Sequence, residues 1–429
     1  SARSRPASAT PRDYGPVVPT EYRPERRFIY DTLPQRTVGI VNMELRQTVE
    51  RGVGFARSGP GGAAVTAAIC LLTIDLLLKL LGVSILHFSI PIPFLDATLA
   101  GGLGGTLPFS RLATYLWTGL VIGLVIGLAS IGLSLTYSIL NFANFAHGDY
   151  LTAGAFSGWA AVYAIAGFGS LDIVNLVLLH APPGDVGANI LKTPLAIVVG
   201  LVVAVVFTLA LSVVIDRLVY KPMRNADGIS LLIASIGVAF ALRYLLALVF
   251  GSSRRIIPDQ NSLPKTEIAG VIVNAHDVTL VVVALLLMVG LHVLLQRTKL
   301  GKAMRAMADN RDLARVTGIP SERVIRVTWL IGAGLTGAAG FLFVLSQNGL
   351  GFQTGWRLLL LIFAAVIMGG IGSIYGAITG GIVIGLASRV SLVWLQGDYA
   401  SFARPTAFLL MILILLFRPS GIFGGVKTA

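Results

Sequence analysis

Four polar residues that could form hydrogen bonds or transfer a proton follow a long apolar run. They are Asn141, Asn144, His147 and Asp149. Such side chains are costly in an apolar environment unless they are paired or meet water. Their close spacing allows two interpretations. Either they mark broken helix ends whose polar groups face a pathway between helices, or the asparagines cap a helix and His147 has a local partner.

Three charged residues lie inside other apolar segments. Asp75 and Lys79 are four residues apart and therefore share one face of a helix. We expect them to neutralise each other, and the alternative is a buried charge with a functional role. Arg243 is alone in its segment. It could reach towards the surface, pair with a carboxylate or bind the carboxylate of a substrate.

The sequence lacks the motifs of an enzyme. Its one cysteine, Cys70, allows neither a disulfide within the chain nor a cysteine metal site, and its five histidines have no ligand spacing. It contains no Walker A motif and no nucleophile elbow, so it cannot hydrolyse ATP by that route. We expect no catalytic residue, no metal and no cofactor bound by this chain. Any energy must come from a gradient or from a partner.

The composition is that of a polytopic membrane protein. Apolar residues make up 55% of the 429 residues and charged residues only 12%, whereas soluble proteins carry about a quarter charged residues. The net charge of +13 is assigned to loops on the cytoplasmic face, because basic residues concentrate there in membrane proteins. Nucleic acid is not an expected partner. The predicted fold class is all-α, a polytopic transmembrane bundle of about nine to ten spans.

The chain divides into three predicted regions. Residues 1–60 are rich in Arg, Pro and Ser and form a basic, largely disordered cytoplasmic arm. Residues 61–111 supply an extra transmembrane helix and a loop. Residues 112–425 form the core. Within the core, residues 364–376 are a glycine-rich interruption of an apolar run, either a boundary between two spans or a re-entrant turn.

Gly119, Gly123 and Gly127 recur every four residues in the first span of the core. This stripe predicts close packing against another helix.

Residues 297–320 are the longest charged run inside the apolar part of the chain. Apolar side chains nevertheless follow helical spacing in this run: Leu300, Ala303, Met304, Met307 and, after a polar break, Ala314 and Val316. Gly318-Ile319-Pro320 is a helix stop signal. We predict two short amphipathic helices that lie against the membrane on its basic side. The alternative is a positively charged loop that only fixes topology.

Counting spans outwards from a cytoplasmic 297–326 loop predicts the topology. Residues 251–278 are then outside, whereas residues 141–149 and the N-terminal arm are inside. A cytoplasmic C-terminus requires three crossings after residue 347. The glycine-rich interruption would then be the place where one short helix ends and another begins.

The ordered motifs of residues 112–425 resemble the permeases of branched-chain amino acid ABC transporters. Asn144 to Gly148 match the N-F-A-H-G signature, and Asp149 is the acidic residue that typically follows it. Residues 217–224, 367–376 and 416–421 are similar to three further motifs. The 299–319 segment resembles the family's cytoplasmic coupling loop, with these matching residues: Gly301, Ala303, Arg305, Ala306, Ala314, Gly318 and Ile319.

The resemblance implies a transmembrane permease subunit of an ATP-driven importer that works by alternating access. ABC ATP-binding subunits would use the ATP and would drive this chain through the coupling loop. A second homologous permease subunit and an extracytoplasmic substrate-binding protein are the other implied partners, all at the cell membrane. The candidate translocation pathway comprises the polar and glycine motifs: Asn141, Asn144, His147, Gly148, Gly369, Gly370, Gly372 and Ser373.

Branched-chain or other amino acids are the implied substrates. Import of urea or a short amide is an alternative within the same class. From other classes, a gradient-driven secondary transporter and a non-transporting membrane scaffold remain open. No run of intramembrane carboxylates suited to ion coupling is found in the sequence.

Overall fold

The computed structural model describes residues 60–92, 97–166, 188–256, 265–347 and 349–423. The chain divides into two compact units, Ser1–Ala63 and Ala64–Ala429, and nearly all of the described residues belong to the second. The predicted basic arm, residues 1–60, lies outside the described residues except for its last position.

The described part of the chain is dominated by helices, as predicted. In chain order they are α1 Pro60–Leu81, α2 Phe109–Leu140, α3 His147–Ala166, α4 Pro194–Ile215, α5 Gly228–Phe250, α6 Ala275–Arg297, α7 Lys299–Asp309, α8 Arg311–Val316, α9 Ser321–Gln347, α10 Thr354–Gly369, α11 Ile374–Val390 and α12 Ala403–Phe417. A π-helical turn, Asp216–Tyr220, extends α4, and two 3-10 turns, Ser391–Val393 and Gly397–Phe402, separate α11 from α12.

Two antiparallel hairpins supplement the bundle and were not predicted. One pairs β1 Ser84–Ile92 with β2 Ala97–Gly104, and the other pairs β3 Lys265–Ile268 with β4 Val271–Asn274. The second hairpin turns at Ala269 and Gly270, which both have positive φ angles. A two-residue turn of this kind suits the twist of antiparallel strands. The segments that connect spans are therefore partly ordered.

Seven of the described helices are long and apolar enough to cross a membrane. They are α2, α4 with its π-helical extension, α5, α6, α9, α11 with the first 3-10 turn, and α12 with the second. Helix α10 is apolar but has only 16 residues, and α3 carries His147 and Asp149 in its first turn. The chain is thus a multi-pass helical membrane protein, and the count of nine to ten crossings stays a prediction.

Helices α2 and α9 form the centre of the bundle. In the most apolar stretch of each, 83% and 78% of the residues are buried, against 28% for α4, α5 and α6. Large apolar side chains are exposed along the outer faces of α4 and α5, including Val198, Val202 and Leu248. Because lipid tails are as apolar as these side chains, such faces are compatible with a bilayer.

The glycine stripe of α2 packs against α11, as the spacing predicted. A Cβ added to Gly381 would lie 2.4 Å from the Cα of Gly127, and one added to Gly385 would lie 2.4 Å from the Cα of Gly123. The two backbones therefore touch directly, which only residues without a side chain allow.

The glycine-rich interruption separates α10 from α11. Helix α10 ends at Gly369 and α11 begins at Ile374, so one short helix ends and another begins at the interruption. The chain after α12 returns to this break, where the backbone N–H groups of Ile422 and Phe423 donate to the carbonyl groups of Met368 (2.8 Å) and Gly369 (3.0 Å). The segment after α12 therefore packs beside the α10–α11 break, and the three crossings after residue 347 stay a prediction.

Candidate functional site

Residues 299–319, the coupling loop, form the two predicted short helices, α7 and α8. Each helix begins with a side-chain cap. The Thr298 hydroxyl accepts a hydrogen bond from the backbone N–H of Gly301 (3.0 Å), and the Asn310 side chain accepts one from the N–H of Leu313 (2.9 Å). Such caps satisfy backbone donors that have no partner within the helix.

The predicted stop signal ends α8. Gly318 has a φ of +85°, a conformation that glycine adopts without steric cost. Its N–H donates to the carbonyl of Arg315 and the N–H of Ile319 donates to the carbonyl of Ala314, both at 3.0 Å. This pair of bonds is a Schellman motif, so the end of the loop is defined by local backbone chemistry.

One face of the loop packs against the bundle. Met304, Met307 and Ala314 are buried in the main core, as their spacing predicted. Gly301 is buried where α7 crosses the end of α6, and a Cβ at this position would lie 2.2 Å from the carbonyl oxygen of Leu295. Arg305 also contacts the bundle, because its guanidinium donates to the side-chain carbonyl of Gln296 in α6 (2.7 Å).

The other face of α8 presents apolar side chains to the exterior. Leu313 is 60% exposed and Val316 is 86% exposed. The helical spacing had grouped Val316 with buried Ala314, and this expectation was wrong. In a helix of six residues, positions two apart point to different faces, whereas Leu313 and Val316 are three apart and share one. That spacing was the sequence signal for the exposed face.

A charged cluster lies between the coupling loop and the motif turn at residues 217–224. Arg224 donates to both carboxylate oxygens of Asp216 (3.0 and 2.9 Å) and also pairs with Glu322 at the start of α9 (3.3 Å). Arg311, the first residue of α8, shares a small cavity with Asp216 and Arg224. Burial, and then the neighbouring Arg315 and Arg224, lower the pKa of Arg311. Within the described ranges its buried Nε has no hydrogen-bond partner.

The N-F-A-H-G run touches this same region. Asn141 is exposed and ends α2 in a left-handed conformation, with a φ of 55°. The buried Asn144 accepts hydrogen bonds on its side-chain oxygen from the N–H of Ala146 (3.1 Å) and from the hydroxyl of Tyr220 (3.1 Å). The two asparagines therefore serve local backbone geometry, as the capping interpretation expected, and Asn144 also joins the motif to the π-helical turn.

His147 lies inside the bundle rather than in a loop at its end. Its Nε2 is 2.9 Å from the carbonyl oxygen of Ala129 and 3.0 Å from the hydroxyl of Thr336. Ala129 precedes the last residue of α2 by eleven positions, or about 16 Å along a helix. Residues 141–149 were predicted to lie wholly on the cytoplasmic side, and this was wrong for the helical part. Inside the bundle the His147 ring has polar partners on α2 and α9.

Arg243 pairs with a carboxylate, one of the three roles left open. Its Nε and Nη2 donate to the two oxygens of Asp149 at 3.1 and 2.9 Å, and both residues are buried. The guanidinium also lies 4.5 Å from the ring centre of Trp356. This fork joins α3, α5 and α10. Sequence reasoning missed Asp149 as the partner, although two opposite charges inside apolar segments were a usable signal.

Asp75 is likewise neutralised within the chain. It pairs with Lys79, and it accepts hydrogen bonds from the N–H of Gly104 (2.7 Å) and the indole of Trp394 (2.7 Å). The expected neutralising pair is therefore present, and it also holds α1 against the segment that follows α11.

The second part of the candidate pathway is packed at the α10–α11 break. Gly369, Gly370, Gly372 and Ser373 are all buried. Ser373 begins α11, where its hydroxyl accepts from the N–H of Gly376 (3.0 Å), and its carbonyl accepts from Ser134 of α2 (3.4 Å). His147 instead contacts Ala129 and Thr336, and Gly148 packs against Gly355 of α10. The two motifs are thus held at separate places in the bundle.

Known proteins match most of the chain. The family model for the permease component of branched-chain amino acid transport systems matches residues 115–417. The chain is 31% identical over 316 residues to the high-affinity branched-chain amino acid transport system permease protein BraD of Pseudomonas aeruginosa. This alignment covers 71% of this chain and 94% of BraD.

Two further relatives are similar to the same extent. The chain is 30% identical to the Escherichia coli permease protein LivH, over 72% of this chain and 94% of LivH. It is 29% identical to a probable LivH of Methanocaldococcus jannaschii, over 69% of this chain and 88% of that protein. The family model and these relatives match overlapping parts of the chain. The chain belongs to the family of ABC transporter permease subunits that form the permease component of branched-chain amino acid transport systems.

Proposed function

We propose that this chain forms part of the membrane path of an ATP-driven importer of branched-chain amino acids. Its partners are ABC ATP-binding subunits, a second homologous permease subunit and an extracytoplasmic substrate-binding protein, and ATP is bound by the ATP-binding subunits alone. The relatives that carry this role in their names support the substrate class. The coupling loop and the N-terminal arm are placed in the cytoplasm under the positive-inside rule.

The observation that carries the coupling role is the exposed apolar face of α8. Leu313 and Val316 stand out from a helix whose opposite side is buried through Ala314. An amphipathic helix that is anchored on one side and apolar on the other suits a groove on a soluble partner. A loop that only fixed topology would need positive charge, but it would not need an exposed Leu and Val.

Contacts within the chain supply a route from the docked helix to the bundle. Arg311 of α8 lies beside the Asp216–Arg224 pair, and Arg224 also holds Glu322 at the start of α9. Tyr220 in the same turn donates to Asn144. A displacement of α8 would therefore be transmitted to α9 and to the N-F-A-H-G segment together.

The pairing of the acidic side chains argues against a gradient-driven carrier. Among the described residues, Asp75, Asp149 and Asp216 each pair with a base, and Asp277 accepts a hydrogen bond from Ser346 (2.5 Å). These four residues are scattered over separate segments and each has a partner, so they do not form the run of intramembrane carboxylates that ion coupling would use. Import of urea or a short amide stays an alternative substrate within the same class, and competition assays against leucine uptake would separate the two.

The test is a pair of substitutions at one position, Val316→Asp and Val316→Leu, in the chain co-expressed with its ATP-binding subunits, second permease and binding protein. Aspartate places a charge in the apolar contact, so we expect ATP-dependent leucine uptake to fall at least about tenfold. The Val316→Leu variant keeps the surface apolar and should retain uptake. Equal membrane levels of both variants provide the control.

Normal uptake by Val316→Asp would show that α8 does not dock through this face. Uptake that continues after the ATP-binding subunits are removed would instead support the gradient-driven alternative. Each outcome refers to a different part of the proposal.

A further inference from the structure

A cavity of about 480 Å³ opens at the end of the bundle opposite the coupling loop. Its wall includes Gln347 at the end of α9 and Thr354 at the start of α10. Helix α9 starts beside the coupling loop and has 27 residues, so the two ends are separated by about 40 Å. Under the proposed topology the cavity faces the extracytoplasmic side. Its volume lies in the range of small-molecule sites, about 300–1,000 Å³.

Three arginines from separate parts of the chain converge on this cavity. Arg254 follows α5, Arg357 lies in the first turn of α10 and Arg404 lies at the start of α12. In the part of the chain that the structure describes, none of the three forms an ion pair with a carboxylate. The Arg357 guanidinium is oriented by Gln353, whose side-chain oxygen is 3.4 Å away. Three guanidinium groups are thus held at one opening.

The rest of the lining is suited to an apolar ligand body. Phe343, Phe352 and Leu358 supply apolar surface. No aspartate or glutamate is found among the described residues that line the cavity. A guanidinium binds a carboxylate through two parallel hydrogen bonds. A ligand with a carboxylate at one end and a hydrocarbon chain at the other matches both parts of the wall.

We propose that this cavity binds the carboxylate of a small organic acid with an apolar side chain. If the proposed function holds, on which the choice of ligand rests, the ligand is the substrate amino acid at the outer mouth of the permease. The ammonium group of an amino acid finds no acidic partner in the lining. A branched monocarboxylate without that group therefore binds at least as well as the amino acid.

The test measures binding of three probes of similar shape to the full chain in lipid nanodiscs, by ligand-observed saturation-transfer NMR. The probes are L-leucine, L-leucinamide and 4-methylpentanoate. Because leucinamide lacks the carboxylate, we expect its affinity to be at least about tenfold lower than that of leucine. The affinity of 4-methylpentanoate should equal or exceed that of leucine.

Substitutions identify the site. Arg254→Gln and Arg357→Gln should each lower the affinity for leucine about tenfold, since each removes a charged hydrogen-bond donor. Arg323→Gln is the matched control, because Arg323 is an exposed arginine at the other end of α9. It should bind leucine like the unmodified chain.

Equal affinities for leucine and leucinamide would overturn the proposal, as would no binding of any probe to the unmodified chain. Arginine variants that still bind leucine but lose uptake in the assembled transporter would also overturn it, and would identify the rim as a contact for a partner protein. The measurement needs no ATP-binding subunit. Failure here leaves the coupling role of α8 untouched, and failure of the Val316 test leaves this cavity untouched.

Discussion

Breaking the Arg243–Asp149 pair should destabilise the bundle strongly, and replacing both residues should not. In Arg243→Met, the buried Asp149 loses two charged hydrogen bonds, at 3.1 and 2.9 Å. Removal of one partner of a buried pair costs about 3–5 kcal/mol. The carboxyl can take up a proton instead, at a cost of about 4 kcal/mol at pH 7 for an ordinary aspartic acid. We therefore expect a loss of about 3–4 kcal/mol.

The double substitution Asp149→Leu with Arg243→Met removes both charges. Apolar replacements of buried pairs are often neutral, so the double variant should regain at least about 2 kcal/mol relative to the sum of the single variants. The assay is equilibrium unfolding of the detergent-purified chain by added SDS, followed by tryptophan fluorescence. Arg217→Met is the control, because Arg217 is exposed and its loss should change the free energy of unfolding by less than about 0.5 kcal/mol.

Additive losses in the double variant would refute the reasoning, because they would mean that the two side chains do not depend on each other. A loss below about 1 kcal/mol in Arg243→Met would also refute it, since that value is typical of an exposed pair. In either case the fork could not be what holds α3, α5 and α10 together.

Three further substitutions test other contacts. Gly301→Ala should separate α7 from the end of α6, because the new Cβ would lie 2.2 Å from the Leu295 carbonyl oxygen, and should lower the free energy of unfolding by about 1–3 kcal/mol. Limited proteolysis within the coupling loop would show the change, and an unchanged digestion pattern would contradict it. Arg305→Glu should lower uptake while the chain stays inserted. Insertion is kept because Gln296 can turn its amide to donate to the new carboxylate. Normal uptake would contradict this expectation. Asp75→Asn should lower the free energy of unfolding by about 1–3 kcal/mol in the SDS assay, because Lys79 loses its partner, and an unchanged midpoint would count against that role.

The features predictable from the sequence were those governed by local chemistry. The ends of α7 and α8 follow from Thr298, Asn310 and Gly318, whose roles depend on backbone groups only a few residues away. The α2 stripe and the α10–α11 break were likewise visible in the spacing of glycines along one segment. Periodicity and stop signals are sufficient for such elements.

The features that could not be predicted depend on residues far apart in the chain. Asp149 and Arg243 are separated by 94 positions, and His147 meets Thr336 across 189 positions. No local pattern specifies such partners, so the return of residues 147–149 into the bundle was missed. The cavity arginines also come from three segments, none of which indicates on its own that the other two lie nearby.

The direct backbone contact between α2 and α11 has a consequence for how the permease can move. With Gly123 and Gly127 against Gly385 and Gly381, the two helices meet backbone to backbone at these positions, with no side-chain rotamer between them that could change. We therefore expect helices α2 and α11 to move together. The relative motion that opens and closes a transport path has to occur at other joints, where side chains rather than bare backbones form the contact.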